Sequence, residues 1–109
     1  MKLKNNVLNI AIPTLITIGN RTNDIKIKWE FNKRLSPFLD AHEFLMRNVN
    51  EIINEEGEDG HLSPTNKHYQ ELMECDIEVD AEFFTLDELS VFNPSIEQLY
   101  ALQELIKEG

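Results

Sequence analysis

One apolar stripe limits what this chain can become. Leu35, Phe38, His42, Leu45, Val49 and Ile52 recur with gaps of 3, 4, 3, 4 and 3 residues. That spacing places side chains on one face of an α-helix and on no single face of a strand. Ser36 is a candidate cap, and Pro37 would then fill the first helical position, where a missing N–H costs nothing. The stretch 36–56, SPFLDAHEFLMRNVNEIINEE, is expected to be a helix about 30 Å long at ~1.5 Å per residue. Its Leu45, Val49 and Ile52 are the expected surface for association between copies.

The flanking segments are shorter and more ambiguous. Val7, Leu8, Ile10, Ala11, Leu15 and Ile18 fit a helix over about 6–18, interrupted by Pro13 and stopped by Gly19-Asn20. Residues 24–32, DIKIKWEFN, alternate strictly, as a strand would. Yet Ile27, Phe31, Leu35 and Phe38 also extend the long stripe backwards, with Asp24 as the alternative cap and Pro37 as a bend. Residues 55–64 hold two glycines, a proline and four acids, a solvated turn. A short helix over 66–74 follows. Residues 75–82, CDIEVDAE, alternate again, with Cys75, Ile77, Val79 and Ala81 expected inward. Their acids need a basic neighbour, and the opening Met1–Lys4 segment is the expected partner strand.

Towards the end of the chain, Thr85 and Glu88 have the spacing of a capping box. After Asn93-Pro94 a last helix is expected to run to Gly109. Ile96, Leu99, Tyr100, Leu102, Leu105 and Ile106 give it an apolar face broad enough to be gripped on two sides or to meet a partner. The expected fold is mainly α with a small β element: a helical hairpin around one long, Pro-kinked central helix, a two-stranded ribbon and a C-terminal helix. With 109 residues, one domain is expected over 1–109.

Charge is where composition matters. Residues 1–50 carry a net +4 and residues 51–109 a net −14. Phosphate contacts need clustered Lys and Arg, so direct nucleic-acid binding is not expected. An acidic surface shown to a basic protein is the sharper reading, with Asp76, Glu78 and Asp80 at its centre. A lone cysteine fits a reducing compartment, and the Lys-Leu-Lys-Asn-Asn opening does not read as a secretory leader. The apolar stretch 10–18 is too short to span a bilayer, so no membrane partner is expected.

Chemistry finds no foothold. The chain has no phosphate loop, no G-x-S-x-G, no C-x-x-C and no H-E-x-x-H. The acidic turn lacks the ligand spacing of a calcium loop. His61, His68 and Cys75 recur every seventh residue, too widely for the usual zinc pairs. Asp40, His42 and Glu43 lie close in sequence, but the acids fall on the outer side of the helix and His42 on the buried stripe. No cofactor, metal or catalytic residue is expected.

The order of features resembles a group of small uncharacterised proteins of tailed bacteriophages and prophages. The stretches that carry it are Met1–Asn5, Ile25–Leu35, Glu55–Gly60, Ile77–Asp80, Thr85–Leu89 and Pro94–Ile106. Pro13 and Pro37 depart from the group's pattern. The resemblance implies a long middle helix that takes in 24–32, and it transfers no catalytic residues because the group has no agreed activity. The expected function is that of a non-enzymatic phage protein working through protein contacts, in virion assembly or as a structural accessory, in the host-cell cytoplasm or the virion. The alternative is an acidic inhibitor, a polyanion decoy, of a host nucleic-acid-handling or antiviral defence enzyme. The expected contact residues are Leu45, Val49, Ile52, Asp76, Glu78, Asp80, Leu99, Leu102 and Ile106.

Overall fold

The long helix begins well before Ser36. In the computed structural model, which describes residues 1–107, α2 runs Ile25–Glu56, 32 residues, with Pro37 inside it. Asp24 caps it, its carboxylate accepting from the N–H groups of Lys26 (2.9 Å) and Ile27 (3.1 Å). The alternation in 24–32 is therefore no strand: on a helix it sends successive apolar residues to different sides, and Phe31 alone of the four is buried. Ser36 caps nothing, because a helix already capped at Asp24 passes through it. The molecule measures 43 × 29 × 25 Å, and α2, at ~1.5 Å per residue, is about as long as its longest dimension.

Helix α1 (Asn5–Gly19) packs antiparallel-fashion along α2 through Leu8, Ala11, Ile12, Leu15 and Ile18, all buried. Pro13 lies on its exposed side, where the lost N–H is cheapest. His42 reaches across from α2 to Asn9 of α1, its Nε2 3.3 Å from the amide oxygen. Gly19 ends α1 against the Phe31 ring; a Cβ there would sit 2.8 Å from the ring.

The ribbon pairs β1 (Lys2–Lys4) antiparallel with β2 (Asp76–Glu78), Leu3 opposite Ile77. Opposite charges meet as the sequence demands: Lys2 with Asp76 (3.6 Å) and Lys4 with Glu74 (2.9 Å). The Glu74 contact, first as a hydrogen bond, raises the Lys4 pKa. The strand is shorter than 75–82. After Glu78 the chain folds back, the Ala81 N–H reaching the Val79 carbonyl at 2.8 Å. Cys75, expected inward, is exposed, because it caps the C-terminus of α3 (Lys67–Glu74) rather than lying in the ribbon.

Two apolar clusters hold these elements together. The larger joins α1, the first half of α2, Val79, Phe84, Leu89, Phe92, Leu102 and Leu105. Phe84 is its hub, stacked on Phe38 at 5.4 Å between centroids and set 6.4 Å from Phe31. Its backbone also grips the chain's end, accepting from Lys107 and donating to Leu105. The smaller cluster packs Leu45 and Val49 of α2 against Met73 of α3, with Tyr69, Leu72, Met46 and Ile53 around them.

The connection from α2 to α3 turns at Glu58–His61, where both backbone bonds close at 2.9 Å. Asp59 (φ 52°) and Gly60 (φ 76°) take the left-handed conformation that a type I′ turn requires, which Asp-Gly supplies. His68 then bonds Glu56 at 2.6 Å, tying α3 to the end of α2. That hydrogen bond raises the histidine pKa and lowers the carboxyl pKa.

The C-terminal half of the expectation is corrected. Helix α4 (Leu86–Ser90) has the Thr85–Glu88 capping box. The last helix, α5, is only Ile96–Ala101, started by a Ser95–Gln98 box rather than by Asn93-Pro94. A 3-10 turn over Gln103–Leu105 follows, and Ile106 is extended beside Phe84. The pairing to Phe84 unwinds the chain there, since an extended partner and a helix cannot use the same N–H groups. The stop expected at Gly109 lies outside the described residues.

Candidate protein-contact surface

Four side chains stand out. Among the described residues, the most exposed large apolar groups are Ile25 (78 %), Ile96 (75 %), Tyr100 (67 %) and Trp29 (65 %). Isolated surface apolar residues need no explanation, but these four form two pairs, each at i and i+4. Residues four apart lie one above the other on a helix, so each pair is a continuous ridge.

The first ridge arises from the helical placement of the alternating segment. At about 100° per residue, Ile25 and Trp29 fall far round the helix from the buried Phe31 and Leu35. The same turn places Lys28 on one flank of the ridge and Lys26 on the other, and all four line one shallow depression together with Glu30 and Asn32. Among the described residues neither lysine has an ion-pair partner, whereas Lys33 sits 3.7 Å from Glu30. Beyond Lys26 a second groove, of about 410 Å³, runs between Ile27 and Phe31 of α2 and Val91 and Phe92 after α4. Arg34 closes one end, its guanidinium 4.2 Å from the Phe84 ring centre and its Nε 2.8 Å from a Glu88 oxygen.

The second ridge is Ile96 and Tyr100 on α5. Leu99 and Ile106, both half-buried, and the exposed Leu86 line the depression beside it. Residues 82–106 hold five acids and no Lys or Arg, with Glu97 inside the ridge's own turn. Residues 21–34 hold five basic and two acidic side chains. Both ridges are apolar pairs at i and i+4, and the segments that carry them are opposite in net charge.

The expected contact residues do not gather at one place. Leu45 and Val49 are buried under α3, so they are core and not surface. Leu102 is fully buried in the larger cluster, because its side of the short α5 faces inward. Ile52 is half-buried, and Asp76 is paired with Lys2. Glu78 and Asp80 are exposed at the ribbon. Leu99 and Ile106 alone lie beside an exposed apolar ridge. Missed altogether were Ile25 and Trp29, whose signal is the four-residue spacing within a segment that also alternates.

Among the described residues, the candidate acid/base and metal-ligating side chains do not come together. Asp40 and Glu43 are exposed on α2 and His42 is bound to Asn9. His61, His68 and Cys75 are all exposed, and no three metal-ligating side chains converge among the described residues. No helix among them is long and apolar enough to cross a membrane. Comparison with protein-family models, with curated proteins and with solved structures found no match for the chain.

Proposed function

We propose that this chain is a non-catalytic module that works through protein contacts, as an assembly or structural accessory protein of a phage particle. The observation that carries the contact reading is the pairing of its four most exposed large apolar side chains into two ridges. Trp, Tyr and Ile held on a helix supply large contact area at low entropic cost, and Trp and Tyr are the residues on which interface energy concentrates. The phage setting is supported by the order of motifs across the chain, from the MKLKN opening to the T-L-D-E-L turn.

The decoy reading rests on Glu78, Asp80 and Glu82, exposed in sequence at the end of the ribbon. It ranks second because Lys2 and Lys4 already stand against Asp76 and Glu74, which shortens the acidic run.

Photo-crosslinking in the producing cell tests the contact reading. A photoreactive phenylalanine analogue at position 29 or 100 should give discrete cross-linked products. The same group at the exposed position 54, on the far end of α2, should give none. Equal yields at all three positions, or none from 29 and 100, would remove the reading.

A further inference from the structure

We infer that the two ridges are the two halves of one contact, so that the Ile25–Trp29 ridge of one copy packs on the Ile96–Tyr100 ridge of the next. This rests on the protein-contact reading above and names the partner as a second copy of the chain.

Shape gives the first reason. Each ridge is a pair of apolar side chains four residues apart, about 6 Å along the axis. Two such ridges lie beside one another as packed helices do, with the shallow depressions at Trp29 and at Leu99 receiving the opposing side chains.

Charge gives the second reason, and it selects the pairing. Two α2 ends meeting face to face would bring Lys26 and Lys28 against their own copies. Two α5 faces would oppose Glu97 to Glu97. Like charges brought together at an interface are a strong penalty, so both symmetric pairings are disfavoured. The crossed pairing sets Lys26 and Lys28 against Glu97, the acid within the α5 ridge's own turn. The chain's overall −10 keeps copies apart everywhere except where a basic end meets an acidic one.

The consequence is directional. A crossed contact leaves one ridge of each kind unused at the two ends of every pair, so it propagates to a ring or an open row. Each contact is one helical turn against another, far below the ~800 Å² per partner of a stable complex. Association is therefore weak and concentration-driven, and salt weakens it further by screening the lysine–glutamate attraction.

The test uses the full chain and two variants. Ile25→Ser with Lys26→Glu disables the basic ridge; Ile96→Ser with Glu97→Lys disables the acidic one. All four positions are exposed, and unchanged thermal melting shows that each variant folds. By sedimentation velocity, the wild-type average mass should rise with concentration and fall with added salt. Each variant alone should associate at least about tenfold more weakly. Mixed, the two variants should form a species of two chains and stop there, because each contributes one intact ridge. A mixture that stays monomeric, or a variant that associates like the wild type, overturns the inference. So does a wild type that is monomeric throughout while position 29 cross-links to a different protein, or while Trp29 binds anionic lipid vesicles. The cross-linking result would leave the contact reading standing; loss of cross-links from both 29 and 100 would end that reading as well.

Discussion

Replacing Phe84 by alanine should cost about 3–5 kcal/mol of stability, the range for a fully buried phenylalanine. That is a large part of the ~5–15 kcal/mol that holds a typical domain folded. Phe84 is buried completely and joins three parts of the fold. Its ring stacks on Phe38 and sits near Phe31, both from α2. The Arg34 guanidinium covers its face, itself held by Glu88 and by the Phe83 carbonyl. Its backbone closes the parallel bridge to the last described residues. The substitution therefore opens a cavity between α2 and the C-terminal third, where α4 and α5 are too short to hold position unaided. Urea unfolding of Phe84→Ala beside Phe83→Ala checks this. Phe83 is 40 % exposed and should lose far less. A Phe84→Ala variant within about 1 kcal/mol of wild type contradicts the hub assignment.

Leu45→Ala is expected to cost about 2–5 kcal/mol as well, but in a different part of the molecule. Leu45 belongs to the smaller cluster with Val49 and Met73, away from Phe84. The loss falls on the docking of α3, an eight-residue helix tied down otherwise by the Glu56–His68 bond and the Asn5 amide, which donates to the Leu72 carbonyl at 2.8 Å. Hydrogen exchange should show residues 58–75 opening first, while α1 keeps its protection. The association of the chain should not change, since Leu45 is not at the surface. If Leu45→Ala instead melted like wild type and lowered the assembly's mass, Leu45 would be an interface residue and α3 would not cover it.

What could be read from the amino-acid order followed from how far each local signal reached. The 3-4 stripe over 35–52 spans several turns, and no tertiary contact was needed to place it. The Asp24–Asn32 segment satisfied two periods at once, and the choice went to the helix because Phe31 joins the same buried line as Leu35 and Phe38. The opposite charges of Met1–Lys4 and Asp76–Glu78 were enough to pair the ribbon. The C-terminal helix was over-extended because nothing local marks the break at Leu102. Just beyond it, Leu105 and Lys107 bond the backbone of Phe84, about twenty positions earlier in sequence. Leu45 and Val49 lie buried on the expected stripe, and only α3 and the Phe84 cluster reveal that they and Leu102 leave no surface to share. The ridge at Ile25 and Trp29 was hidden by its own alternation.

Trp29 is the only tryptophan in the chain, so its fluorescence reports one ridge without labelling. In dilute protein it should emit as a water-exposed indole and be quenched freely by acrylamide. As the concentration rises through the range where mass increases, the emission should move to shorter wavelength and quenching should fall together with it. A blue-shifted, protected Trp29 in the dilute monomer, or one that stays fully quenchable while the mass rises, would contradict the contact surface proposed for this protein.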